Sequence, residues 1–135
     1  MIKLYIELKE IDKDTLKVGD VVGVARKIET GYGSIFRHCR IIPAVITRIT
    51  PKRTKIETDQ FGTHGKNESF YVYDYDAKRE DDLADGFCEI RDGVYELYGF
   101  KKNGLSRIKD EDIPNMAYHM KAITEILQKY KEKIE

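Results

Sequence analysis

The clearest pattern in the sequence is an apolar stripe near the carboxy terminus. Its residues are spaced 4, 3, 4, 3 and 4 positions apart, and they are Met116, Met120, Ile123, Leu127, Tyr130 and Ile134. This spacing predicts an amphipathic α-helix over about residues 114–133, with Asp112 as its N-cap and Pro114 in its first turn. The stripe must be buried against another apolar surface, either the rest of this chain or a second copy in a helix-mediated homodimer. The second alternative is open because heptad spacing also suits a short coiled coil.

Upstream of the stripe, the chain shows the period-two alternation of half-buried strands. A tight turn at Gly19-Asp20 precedes one strand, and the Asp92-Gly93 pair predicts the turn of a second hairpin within FCEIRDGVYELYGF. Proline cannot donate to a ladder, so Pro43 should mark an edge or a bulge. The predicted strands cover residues 2–10, 21–28, 36–50, 54–58 and 70–75.

Together these elements predict an α+β fold. Its main part is a mainly antiparallel small β-barrel or a strongly bent sheet, and a long amphipathic helix follows it at the carboxy terminus. The length fits a single domain over residues 1–135, β-rich over residues 1–100. The acidic stretch at 76–86 is either a helix of about two turns or a loop.

Residues 36–59 predict a basic β-hairpin. A four-residue type I turn over TPKR would place Arg48 opposite Lys55 and Ile46 opposite Glu57. In that register Thr47 faces the core, while Ile46 and Arg48 share the outer face. Like charges across a ladder cost on the order of 0.2–1 kcal/mol, so Glu57, the acidic 74–85 segment or a bound anion should offset them.

The charges of this neutral chain are unevenly distributed. Residues 25–56 contain eight Lys or Arg and one acid, whereas residues 57–98 contain twelve acids and four bases. Cations grouped on a hairpin can bind phosphate-bearing ligands. The predicted anion or nucleic-acid surface consists of Arg37, Arg40, Arg48, Lys52, Arg53 and Lys55. The aromatic residues that could stack on bases beside it are Tyr32, Phe36 and Phe61.

The sequence contains no catalytic or metal-binding signature. His38, His64 and His119 lie in unrelated contexts without a nucleophile-elbow motif, and Cys39 and Cys88 form neither a disulfide framework nor a zinc-ligand spacing. We therefore predict no enzymatic activity, no metal and no cofactor. The amino terminus lacks the apolar core of a signal peptide, and no stretch is long enough to span a bilayer, which predicts a soluble cytoplasmic protein.

The segments VGDVV and PAVITRITPKRTKIETD carry a resemblance to known small barrels. They resemble the β-barrels of the Src-homology, KOW and Tudor type, which often begin with a Gly-Asp turn and a valine-rich strand before a basic hairpin. The chain also looks like short phage and mobile-element proteins in which such a barrel precedes a carboxy-terminal helix. The resemblance covers roughly residues 16–75 and implies a binding module. The GYGSIF insertion departs from KOW domains, and a Tudor-like aromatic cage is not evident.

Three functions fit these features. The first is a non-enzymatic module that binds nucleic acid or a phosphate-bearing ligand through the basic hairpin. The second is a protein-interaction or inhibitor module of a phage or mobile element, which acts on a host protein through the acidic 74–85 segment or the terminal helix. The third is a binder of a small anionic metabolite. The chain would be a monomer or a homodimer joined through its terminal helix.

Overall fold

The computed structural model describes residues 6–31 and 33–134, with the backbone alone at residue 103 and at residues 132–134. The strands of the described chain are β1 (Val21–Arg26), β2 (Glu29–Gly31), β3 (Ser34–Ile35), β4 (Arg40–Ile49), β5 (Ile56–Thr58) and β6 (Gly62–His64). Two long helices follow, α1 (Tyr75–Asn103) and α2 (Ile113–Ile134). Short 3-10 helices span Lys13–Thr15, Leu105–Arg107 and Asp110–Asp112. The fold is therefore α+β, as predicted.

The main sheet is antiparallel, with four strands in the order β1-β4-β5-β6, and β2 and β3 pair separately. β4 pairs with β5 only from Ile46 onwards, so at Pro43 it has β1 as its ladder neighbour on one side. This confirms the expected local edge at the proline, whose nitrogen has no hydrogen to donate. Over the described residues the sheet is not closed, and no barrel is shown.

The core lies against β1 and the centre of the sheet. Its fully buried cluster consists of Leu16, Val22, Val24, Ala44, Ile46, Ile56 and Phe70. Gly23 exchanges two backbone hydrogen bonds with Tyr71, at 2.8 and 3.0 Å. A Cβ at position 23 would lie 2.8 Å from Ile41 Cγ2 and 3.3 Å from the Tyr71 carbonyl oxygen. The absence of a side chain therefore lets the segment around Tyr71 pack directly on β1.

The strand predicted over residues 70–75 is reduced to isolated bridges. Tyr71 forms single bridges with Glu10 and with Gly23, in place of a strand over residues 70–75. The strand predicted over residues 2–10 begins outside the described residues, and residues 6–9 belong to no ladder. Asp74 then starts α1, because its side chain accepts a hydrogen bond of 3.0 Å from the Ala77 backbone nitrogen, as an N-cap does.

Residues 87–100 belong to α1, so the hairpin predicted there is wrong, and so is the β-rich description up to residue 100. The buried positions of this helix recur at helical spacing, but they are small or polar: Ala77, Glu80 and Ala84. The large apolar residues farther along alternate around Asp92-Gly93 and imitate a turn between strands. The same helix settles the acidic stretch at 76–86, which is helical rather than a loop.

The chain divides into two compact units. The described residues up to Gly93 form the amino-terminal unit, and those from Val94 onwards form the carboxy-terminal unit. The second unit contains α2, which confirms the predicted terminal helix and begins one residue before its expected start. The single domain that we expect from the length of the chain stays a prediction.

Candidate functional site

The basic hairpin of β4 and β5 has a different register from the predicted one. Arg48 pairs with Glu57 rather than with Lys55, and the connection between the strands spans residues 50–55. The ladder advances by two residues on β4, from Ile46 to Arg48, against one on β5, so the strand is bulged there. The bulge reverses the expected faces: Ile46 is 1% exposed in the core, while the residue after it is exposed.

In the observed register, Arg48 faces an opposite charge across the ladder instead of the expected like charge. Arg48 Nη1 lies 3.8 Å from Glu57 Oε1, across the ladder. Both side chains keep much of their contact with solvent, at 68% and 38% exposure, so the pair contributes at most about 1 kcal/mol to stability. The expected Arg48–Lys55 repulsion is therefore wrong, and Glu57 offsets the charge of Arg48 within the hairpin.

Arg53, at the tip of the hairpin, is tied to the fold. Its guanidinium Nη1 donates hydrogen bonds to the carbonyl oxygens of Lys13 and Leu16, both at 3.0 Å. Its backbone has a φ of 55°, in the left-handed region that non-glycine residues rarely adopt. The two hydrogen bonds link the hairpin loop to the segment before β1, so this cation has a structural role.

Arg40, at the start of β4, is neutralised by the first turns of α1. Its Nε donates to Asp81 Oδ1 at 2.7 Å and its Nη2 to Asp81 Oδ2 at 3.3 Å, a bidentate pair. Its Nη1 donates to Asp85 Oδ1 at 3.0 Å. The hydrogen bond to Asp81 raises the pKa of Arg40 above its ordinary value. The acidic segment thus covers one end of the predicted basic surface.

The remaining predicted anion-binding residues are Arg37, Lys52 and Lys55. All three are exposed. In the part of the chain that the structure describes, no carboxylate lies within ion-pair distance of them. The guanidinium of Arg37 lies 4.7 Å from the ring centroid of Phe36, as in a cation–π contact. Half of the six predicted cations therefore remain available to an external anion.

The predicted stacking residues are mostly engaged within the fold. Phe36 stacks on Phe87 of α1, with ring centroids 3.8 Å apart and an angle of 11° between the planes. Phe61 lies under the guanidinium of Arg26, at 4.4 Å from its ring centroid, and packs against the core. Tyr32 lies outside the described residues. Phe36 and Phe61 are therefore engaged within the fold rather than free to stack on a base.

A buried carboxylate that the sequence did not reveal joins α1 to β4. Glu80 is 4% exposed, and its Oε1 accepts a hydrogen bond from His38 Nδ1 at 2.5 Å. Its Oε2 accepts from the backbone nitrogen of Cys39 at 3.1 Å and lies 3.6 Å from the Cys39 thiol. A carboxylate can only accept, so the proton lies on His38 Nδ1. Local sequence patterns carry no sign of this contact, because the two segments are about forty positions apart.

The Cys39 thiol beside this carboxylate is not suited to be a nucleophile. Burial, followed by the negative charge of Glu80, raises the pKa of Cys39 to about 11. Reactive cysteines have lowered pKa values, because the thiolate is the attacking species. The arrangement of His38, Cys39 and Glu80 therefore anchors the helix to the sheet, and it does not resemble an activated thiol.

A second buried imidazole lies in a hydroxyl–imidazole–carboxylate chain. His64 Nδ1 lies 2.5 Å from Glu68 Oε2, and His64 Nε2 lies 2.9 Å from Thr58 Oγ1. The order of groups is that of a hydrolase triad, in which a hydroxyl attacks the substrate. However, Thr58 is 4% exposed and His64 is 1% exposed, so a substrate could not reach the hydroxyl. The chain of hydrogen bonds stabilises the turn between β5 and β6.

A groove of about 430 Å³ lies beside α1 in the amino-terminal unit. Its walls are mostly apolar and include Phe36, Leu83, Phe87 and Ile90, with His38 also at the surface of the groove. Among the described residues, no group of three or more His, Cys, Asp or Glu side chains is placed to hold a metal ion. Arg37, one of the exposed cations of the predicted basic surface, also lines this groove.

The carboxy-terminal unit exposes the predicted apolar stripe of α2. The exposed fractions are 37% for Met116, 38% for Met120, 46% for Ile123, 49% for Leu127 and 59% for Tyr130. The side chain of Ile134, the sixth member, lies outside the described residues. The stripe is therefore confirmed as the apolar face of a helix, and its cover is still to be identified.

Comparison of the chain with protein-family models, with curated proteins and with solved structures finds no match. Over the residues that the structure describes, neither helix has the apolar length that a bilayer span requires.

Proposed function

We propose that the protein is a non-enzymatic protein-interaction module that binds its partner through the exposed apolar stripe of α2. The single observation that carries this proposal is the lack of a core in the carboxy-terminal unit. Among the described residues from 94 to 131, Gly104 is buried beside the Phe100 ring and Ile108 is half-buried, while every other described side chain is exposed. Large apolar residues are included, such as Ile123 and Leu127.

This lack of burial has an energetic consequence. Ordering one residue costs roughly 1–2 kcal/mol of backbone entropy, which a folded unit recovers mainly by burying apolar surface. The residues from Val94 onwards order two helical segments without that burial. An apolar stripe along a whole helix is also larger than the scattered apolar residues of ordinary surfaces. Both points support a partner that covers α2.

The geometry of the hairpin supports nucleic-acid binding less strongly. Arg40, Arg48 and Arg53 are held by Asp81, Glu57 and backbone carbonyl groups respectively. A second function is still favoured by Lys52 and Lys55, which are exposed in the hairpin loop. Binding of this kind would be weak and would fall steeply with salt, because few phosphate contacts are available.

One capture experiment separates the two functions. The tagged protein is incubated with lysate, either untreated or nuclease-treated, as wild type, as Leu127→Glu and as the double variant Lys52→Glu/Lys55→Glu. The proposed function predicts that wild type and the double lysine variant retain the same protein, and that Leu127→Glu loses it. Capture that disappears with nuclease or with the lysine variant, and survives in Leu127→Glu, would contradict the proposal and favour the hairpin.

A further inference from the structure

The apolar stripe of α2 fits a second copy of itself. Its positions follow a heptad in which Ile113, Met120 and Leu127 alternate with Met116, Ile123 and Tyr130, every 3 and 4 residues. All six belong to the same helix and are between 37% and 59% exposed. We infer that two copies of this chain associate through α2 in an antiparallel pair. This inference rests on the proposed function, and it identifies the partner as a second copy of the chain.

The register of such a pair follows from the positions of the stripe. In two antiparallel copies whose facing residue numbers sum to 243, Met120 meets Ile123 of the second copy and Met116 meets Leu127. Ile113 meets Tyr130 at each end. Every apolar layer is then filled by another apolar residue, and no layer is left open. The layers extend over about 26 Å, at 1.5 Å per residue from position 113 to position 130.

The charges at the two ends of the helix favour this direction. Asp110, Glu111 and Asp112 lead into α2, whereas Lys129 and Lys131 lie in its last turns, and all five side chains are exposed. In an antiparallel pair each flank of the seam faces the same flank of the second copy, so Asp110 lies opposite Lys131 of the second copy. Parallel copies would instead bring the acidic ends together and the basic ends together. Opposite charges flanking an apolar seam set the orientation of helix pairs.

The residues beside the centre of the stripe offer no charge that opposes the pairing. Ala117 and Thr124 flank one side of the seam, and His119 and Ile126 flank the other. Ile126 is itself 52% exposed, so it widens the apolar surface at the middle of the helix. The seam is short, so we expect a dissociation constant on the order of 1–100 µM rather than a permanent dimer.

Sedimentation equilibrium of the purified full chain, over about 1–500 µM, tests the association. The wild type should shift from one copy to two, and Leu127→Glu should weaken the association by at least about 100-fold, because it places a charge in two apolar layers. Gln128→Glu adds the same charge at the neighbouring position, on another face of the helix, and should leave the association unchanged. Circular dichroism checks that both variants keep their helices.

A charge exchange tests the direction. Asp110→Lys and Lys131→Asp should each weaken the association by about 3- to 30-fold, since two equivalent contacts become repulsive. The double variant Asp110→Lys/Lys131→Asp should recover wild-type association. In a parallel pair, equivalent residues of the two copies lie at the same level. Each single variant would therefore only replace one like-charged contact by another.

The outcomes separate this inference from the proposed function. A chain that stays monomeric throughout, equal effects of Leu127→Glu and Gln128→Glu, or failure of the charge exchange to recover association would overturn the antiparallel pair. Nuclease-resistant capture of a different protein, lost in Leu127→Glu, would then leave the proposed function standing. If the chain shows no self-association and no Leu127-dependent capture of a protein, both proposals are wrong.

Discussion

Removing the buried Glu80 carboxylate should clearly destabilise the protein. The side chain is 4% exposed and accepts hydrogen bonds from His38 Nδ1 and from the Cys39 backbone nitrogen. Glu80→Ala leaves both donors without their acceptor in a buried site. An unsatisfied buried donor costs about 1–3 kcal/mol, so two donors with partial rearrangement give an expected loss of about 2–4 kcal/mol.

Urea unfolding at pH 7, followed by circular dichroism, measures this loss. Asp82→Ala is the matched control, because Asp82 is exposed on the same helix two positions away, and such a surface change should stay within about 0.5 kcal/mol. The double variant His38→Ala/Glu80→Ala should cost less than the sum of the single changes, because the two side chains share one hydrogen bond. A loss below about 0.5 kcal/mol for Glu80→Ala would refute the anchoring role.

The other predictions concern backbone packing, ion pairs and thiol chemistry. Gly23→Ala should lower the free energy of unfolding by about 1–3 kcal/mol, because the added Cβ has no space. Gly65→Ala, where the space around the added Cβ is open, should change this free energy little, and urea unfolding compares the two variants. Arg40→Ala should cost about 1–3 kcal/mol and Arg48→Ala less than about 1 kcal/mol, because the first is bidentate and partly buried; equal losses would contradict this. The raised pKa of Cys39, about 11, means that the folded state holds this proton more tightly than the unfolded state. Its contribution to stability is therefore present below about pH 9 and lost as pH rises towards 11, a slope that Cys39→Ala should remove. In the same range, Cys39 should react with iodoacetamide far more slowly than a free cysteine peptide, and a normal rate would show that the thiol is not held as described.

Local patterns predicted the elements that depend on local spacing. The stripe of α2 is a repeat within one helix, and the Gly19-Asp20 turn sits directly before β1, so neighbouring residues were sufficient to identify both. The ladder position of Pro43 followed from its missing hydrogen-bond donor. In each case the deciding physical property belongs to a few adjacent residues.

The features that local patterns missed depend on distant contacts. The bulge between Ile46 and Arg48 inserts one residue into a ladder, and period-two alternation carries no sign of such an insertion. Helix α1 buries Ala77, Glu80 and Ala84, whose small or polar side chains form no apolar stripe in the sequence. The two carboxylates that neutralise Arg40 lie 41 and 45 positions away in the sequence. A basic run in a sequence therefore predicted a basic surface more strongly than the folded hairpin supports.

The central claim is that a partner binds the apolar stripe of α2. Maleimide labelling of Leu127→Cys and Gln128→Cys, resolved by peptide mass spectrometry, tests it most directly when the protein is diluted to about 0.1 µM, below the expected dissociation constant. The two adjacent thiols should then react at similar rates, and Leu127→Cys alone should become protected as the concentration rises or a partner is added. Protection of Leu127→Cys at every concentration, with Gln128→Cys freely reactive, would show that the chain covers its own stripe and would contradict the account.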